Sequence, residues 1–251
     1  MKVLSIKLYN KSFNSVVNRI ISESTNEKGN RCISATSAHG IIIAQKNKEF
    51  RNVLDKFYLN LPDGMPSVWI GKLKGSTEME RCYGPDIFKS VMIQSSNHPI
   101  NHYLCGGKKG VADKLSEVCK NKFGNKNIVG SYSPPFRKMN DEEIKQLTED
   151  INNKGTNIIW IGLSTPKQEK FAYRLAQLTN VNFLITVGAA FDFHTGKLKQ
   201  APKFIQKLGL EWLFRVSAEP KRLWMRYFEV VPKFIFYNFA ELFSGKFFNG
   251  K

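Results

Sequence analysis

Between residues 31 and 188, short apolar runs alternate with longer amphipathic stretches, and polar residues or glycine separate them. A short continuous apolar run suits a strand buried on both faces, whereas apolar positions at i, i+3 and i+4 give a helix one face to bury. The predicted strands span 32–35, 57–61, 102–105, 127–130, 157–161 and 183–187. The predicted helices span 38–55, 85–94, 110–122, 141–152 and 166–178. Strands alternating with helices in this order build βαβ units around a parallel sheet, so the expected fold class is an α/β sandwich. After about residue 201 the strands stop. Helical periodicity continues there, and aromatics such as Trp212, Trp224, Phe228, Phe239, Phe247 and Phe248 crowd in beside basic residues. The chain thus divides into an α/β region, 1–200, and a helical basic-aromatic appendage, 201–251.

Composition is that of an ordinary globular protein, with 42% hydrophobic and 24% charged residues, which excludes disorder as the source of its charge. Lys and Arg number 38 against 21 Asp and Glu, a net charge of +17. Such a surplus attracts nucleic acid, anionic lipid headgroups or phosphorylated small molecules, and charge alone does not choose among them. Cys32, Cys82, Cys105 and Cys119 form no C-x-x-C pair or zinc spacing, and are expected as reduced thiols in a cytoplasmic protein. The first residues mix Lys2, Lys7 and Lys11 among apolar positions, unlike the apolar stretch of a signal peptide. No uncharged apolar run approaches the roughly 18–20 residues of a spanning helix, so membrane contact is expected to be peripheral.

In open α/β sheets ligands bind beyond the carboxyl ends of the strands, which directs attention to four strand-to-helix turns. Asp63 follows a predicted strand in Pro62-Asp63-Gly64 and is placed either as a general base at a cleft mouth or as a turn and cap residue. Gly106, Gly107 and Gly110 open a helix, where backbone N–H groups suit a diphosphate; close helix–sheet packing is the alternative. The spacing is not the dinucleotide G-x-G-x-x-G, and no acidic residue ends the next strand, which disfavours nicotinamide cofactors. Arg81 precedes a helix that Pro85 and Asp86 suit as first-turn residues, and its guanidinium could neutralise a leaving diphosphate. Thr165 and Gln168 match the capping-box pattern, while Lys167 and Gln168 could instead touch a sugar or phosphate. The four histidines lack metal-ligand spacing and no D-x-D pair occurs, so no metal is implied.

Several segments, taken in order, resemble the WecG/TagA/CpsF glycosyltransferases, glycosyltransferase family 26. They are residues 35–40, 62–66, 81–86, 106–111, 166–169, 187–192, 200–202, 210–215 and 219–222, nearly the whole chain. The resemblance implies a Rossmann-like parallel-sheet sandwich with a membrane-binding C-terminal appendage. It implies a metal-independent, inverting transfer from a UDP-sugar, such as a UDP-N-acetylhexosamine, to an undecaprenyl-diphosphate-linked sugar, with no cofactor. Polysaccharide or teichoic acid synthesis at the inner face of the cell membrane follows from it. By position Asp63 is implied as the base, with Arg81 and Gln168 beside it and Thr36, Gly84, Asp86, Gly106, Gly107, Gly110 and Lys167 around the substrates. Many members carry an asparagine shortly after the threonine, whereas this chain has Ser37-Ala38-His39.

In the appendage, Arg222 and Arg226 stand one helical turn apart, and Leu223, Tyr227, Val230 and Phe234 form an apolar stripe. A core helix with a solvated basic face fits that pattern, as does a helix lying on an anionic membrane. The resemblance selects the second, with Arg215, Arg222 and Arg226 over the acceptor diphosphate and a homo-oligomer left open. Nucleic acid is not an expected partner, because no recognisable motif for it occurs and the aromatics fall on a terminal amphipathic helix. An epimerase is disfavoured by the missing dinucleotide fingerprint.

Overall fold

The computed structural model describes residues 1–244, so Phe247 and Phe248 of the aromatic appendage lie outside the described residues. The chain opens with a short antiparallel hairpin, β1 (Lys2–Val3) and β2 (Ile6–Lys7), followed by α1 (Phe13–Glu23). All six predicted strands are present: β3 (Arg31–Thr36), β4 (Leu59–Pro62), β5 (His102–Gly106), β6 (Ile128–Tyr132), β7 (Ile158–Gly162) and β8 (Phe183–Thr186). Between them run α4 (Met65–Leu73), α5 (Gly84–Gln94), α6 (Val111–Lys122), α7 (Asp141–Asn153) and α8 (Lys167–Leu175), and α9 (Ala190–His194) follows the last strand. The single helix expected over 38–55 is two, α2 (Ala38–Lys46) and α3 (Lys48–Asp55). Asn47 breaks it by taking extended backbone and accepting the Phe50 N–H at 2.9 Å, the cap that starts a new helix.

The six strands form one parallel sheet in the order β4-β3-β8-β7-β5-β6. Side chains alternate across it: Ile158 and Trp160 of β7 join the core beneath α1, α5, α6 and α9, while Ile159 and Ile161 join the one beneath α7 and α8. Neighbouring β5 and β7 lead away from each other, one to the β6 edge and the other to the centre at β8. A crevice opens between their carboxyl ends at such a reversal.

Beyond residue 201 the described chain is helical: α10 (Lys203–Lys207), α11 (Glu211–Ala218) and α12 (Pro220–Ser244). The apolar stripe assigned above to a membrane surface turns inward instead. Leu223, Val230 and Phe234 are buried, and the last two share a core with Ile41, Ile42, Phe50 and Val68 beneath the hairpin, α2, α3 and α4. Lys46 pairs with Glu229 at 2.5 Å, and Glu241 takes both Lys74 and the Leu4 N–H. Hydrophobic burial and three tethers therefore fix α12 to the α/β body. Its opposite side leaves Trp224, Met225, Phe228, Phe236, Phe239 and Phe243 more than half exposed.

Candidate functional site

Asp63 stands one residue beyond β4, where its N–H bonds the Thr36 carbonyl at 3.3 Å and prolongs the strand pairing by a step. It does not cap the helix that follows, for which Gly64 is the N-cap without a side-chain bond. Its Oδ1 accepts the N–H of Gly84, the first residue of α5, at 2.9 Å, so the carboxylate lies at the positive end of that helix. Glycine is required at 84 by close approach: a Cβ there would come within 2.9 Å of the Val187 carbonyl oxygen and 3.2 Å of the Ala35 side chain. Burial pushes the Asp63 carboxyl up to about 6, against the pull of Arg81 and the Gly84 N–H. An aspartate so placed is ionised at neutral pH and close enough to it to accept a proton in a reaction step.

Arg81 surrounds this turn, and all three of its guanidinium nitrogens are engaged. Nε donates to the Asp63 carbonyl at 2.7 Å, Nη1 donates to Gln206 at 3.0 Å, and Nη2 pairs with Glu211. The guanidinium also lies 4.0 Å from the centre of the Tyr83 ring, whose hydroxyl donates to the same Glu211 carboxylate. Glu211 begins α11, so the C-terminal segment supplies the counter-charge beside Asp63. In this structure the charge that the sequence reading gave to a leaving diphosphate is met by the carboxylate of Glu211.

A cleft of about 1410 Å³ runs along the strand ends and under α11 and α12. Asp63, Arg81, Gly107, Lys167, Gln168, Arg215, Arg222 and Arg226 all line it, so the fold brings together residues scattered over much of the chain. Thr36, Gly84, Asp86, Gly106 and Gly110 do not line it. Thr36 is buried, with its hydroxyl on Ser34 at 3.0 Å, and supports the Asp63 turn through its carbonyl. Asp86 pairs with Lys203 at 3.2 Å on the outside of α5. Gly106 serves close packing, since a Cβ on it would fall 2.5 Å from the Gly162 carbonyl oxygen, and the Gly107 N–H is bonded to that same oxygen at 2.9 Å. Gly110 precedes α6 with a left-handed φ of 82°, a conformation glycine adopts without strain. The glycine turn therefore lets β5 and β7 approach, and only its Gly107 and Lys108 face the cleft.

The capping box expected at Thr165 and Gln168 is absent, and Pro166 is the N-cap of α8. The Thr165 hydroxyl is directed to Glu169 at 2.9 Å instead, and Gln168 turns its amide to Glu169 and to the Gly188 N–H. Three arginines gather across the cleft. Arg222 pairs with Glu219 at 2.6 Å and Arg215 stands 3.9 Å from the same carboxylate. Arg226 forms no ion pair among the described residues, and the buried Nε of Arg215 has no hydrogen-bond partner. Burial, then Arg222 and Arg215, push Arg226 below its ordinary value. Three guanidinium groups against one carboxylate leave positive charge that an anion with several oxygens would satisfy.

Several cleft residues were not singled out from sequence. Glu211, Tyr83 and Gln206 surround Arg81; Tyr227, read from sequence only as part of an apolar stripe, is pushed up by burial between the arginines and Asp63. Asp192 also lines the cleft, 3.7 Å from Lys197, with a buried Oδ1 that lacks a hydrogen bond. Glu211 and Asp192 fall inside segments that carried the resemblance, which was the only sequence signal for them. Among the described residues, no cluster of three or more His, Cys, Asp or Glu is placed to hold a metal ion, and no helix is long and apolar enough to cross a membrane. The glycosyl transferase WecG/TagA/CpsF family model matches residues 1–247, and with an aspartate at the end of β4 facing a cationic cleft, the chain belongs to this glycosyltransferase family.

Proposed function

We propose that the protein transfers a sugar from a UDP-sugar to an undecaprenyl-diphosphate-linked acceptor with inversion, in the synthesis of cell-surface polysaccharide or teichoic acid. The donor sugar is an N-acetylhexosamine such as N-acetylmannosamine, or a hexose. One observation carries this reading: a single cleft joins the Asp63 carboxylate to Arg215, Arg222 and Arg226. Asp63 takes the proton of the acceptor hydroxyl as its oxygen attacks the anomeric carbon. The bond from that carbon to the β-phosphate oxygen breaks, and UDP leaves with the electron pair. Lys167 and Gln168 serve the donor at the end of β7, and the arginine trio holds the diphosphate of the acceptor lipid. On the donor side the Lys167 ammonium offsets the charge that develops on the leaving UDP, and the proposed transfer uses no divalent ion. Arg81 reaches a diphosphate only by exchanging Glu211 for it, and in the paired state it holds the turn that carries the base.

The membrane face is the exposed aromatic side of α12, where Trp224, Phe228, Phe236 and Phe239 project away from the core. Aromatics flanked by Lys221 and Lys233 suit the headgroup region of an anionic bilayer, and would bring the cleft to the lipid at the inner face of the cell membrane. A donor screen on a synthetic lipid-diphosphate acceptor tests the proposal. Sugar transfer from a UDP-sugar, with UDP released one for one, is expected. Transfer only to acceptors without a diphosphate would overturn the acceptor assignment.

A further inference from the structure

Glu169 is on the first turn of α8, next to Gln168, and is only 1% exposed. Its Oε1 accepts from Thr165 Oγ1 and from Gln168 Nε2, both at 2.9 Å, while its Oε2 is buried without a hydrogen bond. Burial raises this carboxyl above its ordinary range, and the donors around it, Gln168 and Thr165 first, then its own N–H and the Ser34 hydroxyl, only partly oppose it. A dry carboxylate is costly to keep, and a helix needing only negative charge in its first turn would be served by an exposed one.

What the carboxylate does fix is the amide beside it. The Gly188 N–H, which can only donate, meets Gln168 Oε1 at 3.1 Å. Glu169 Oε1, when ionised, can only accept, and it meets Gln168 Nε2. A flipped amide would set its oxygen against a carboxylate and its NH₂ against an N–H, losing both bonds. The second hydrogen of Nε2 meets Thr165 Oγ1 at a long 3.4 Å, and Gln168 lines the cleft although it is 2% exposed. We propose that Glu169 is a positioning residue that locks the Gln168 amide in one orientation, so that Gln168 offers an N–H donor, and not a carbonyl, to an oxygen of the bound sugar nucleotide. This rests on the assignment of Gln168 to the donor site.

The test compares Glu169→Ala, Gln168→Ala, the double variant and Glu169→Gln by transfer kinetics with the active UDP-sugar and by thermal melting. Gln168→Ala and Glu169→Ala should each lower kcat/KM about tenfold, and the double variant no further than Gln168→Ala alone, because Glu169 acts through that amide. Glu169→Gln keeps an oxygen acceptor and should recover most of the activity. Multiplying losses in the double variant, or full activity in a folded Glu169→Ala, would overturn the positioning role while leaving Gln168 in the site. An unaffected Gln168→Ala would remove both assignments. Should Glu169→Ala fail to fold, the wild-type protein decides: the Gln168 side-chain amide resonances, assigned by their loss in Gln168→Ala, should be shifted downfield and slow to exchange. Random-coil positions with fast exchange would contradict the lock.

Discussion

Replacing Asp63 with asparagine should make the protein more stable at pH 8. The folded structure holds this carboxyl at about 6, against an ordinary 3.8, because burial outweighs Arg81 and the Gly84 N–H. The folded state therefore binds a proton more tightly than the unfolded chain between those two values. Stability falls as pH rises through that window and is flat above it. A difference of about two pH units corresponds to ~3 kcal/mol as an upper bound on what the ionised aspartate costs. Asparagine carries no charge to desolvate, and its Oδ1 can keep the Gly84 hydrogen bond. A gain of about 1–3 kcal/mol is expected at pH 8, a rise in Tm of roughly 2–10 °C for a chain of this size. Circular-dichroism melts of both proteins at intervals from pH 8 to pH 4 measure it, and the gain should shrink steadily below pH 6. A variant no more stable than wild type at pH 8, or a gain that does not change with pH, would refute the reasoning.

Glu211→Gln strands the Arg81 guanidinium, on a side chain only 15% exposed, and should destabilise by about 3 kcal/mol in denaturant titration. Because Glu211 raises the Asp63 carboxyl, the same change should move the acid limb of the rate profile below pH 6. Phe234→Ala empties a buried position between α12 and the body, costing about 3–5 kcal/mol in the same titration if α12 unfolds with the core. Replacing Trp224, Phe228 and Phe239 with serine removes exposed aromatics only, so Tm should hold while sedimentation with anionic vesicles is lost.

The six strands were legible because each is a short apolar run with punctuation at both ends, and that fixed the sheet as parallel. The place of Asp63 beyond a strand end, on the cleft, was legible by the same route. The break at Asn47 was not, because a mid-pattern asparagine carries no Pro or Gly signal and its cap forms only once the chain turns. The two faces of α12 were also confounded. Leu223, Val230 and Phe234 have the spacing of any apolar stripe, and whether it meets a core or a bilayer depends on Ile41, Phe50 and Val68, far away in sequence. Glu211 lies 130 positions from Arg81, and periodicity has no means of expressing that pairing. The Thr165 capping box failed for a local reason: α8 takes Pro166 as its N-cap, which leaves Thr165 one residue outside, and the Gln168 N–H bonds the Ser164 carbonyl at 3.1 Å instead.

The central claim is that Asp63 is the base of the transfer, and the pH dependence of kcat/KM in wild type and Asp63→Asn tests it most directly. Wild-type kcat/KM should rise through about pH 6 to a plateau as the carboxyl ionises. Asp63→Asn should bind UDP normally in calorimetry yet turn over about 10²- to 10⁴-fold more slowly, with the acid limb gone. Wild-type turnover in the folded variant, or an unchanged acid limb near pH 6, would contradict the account.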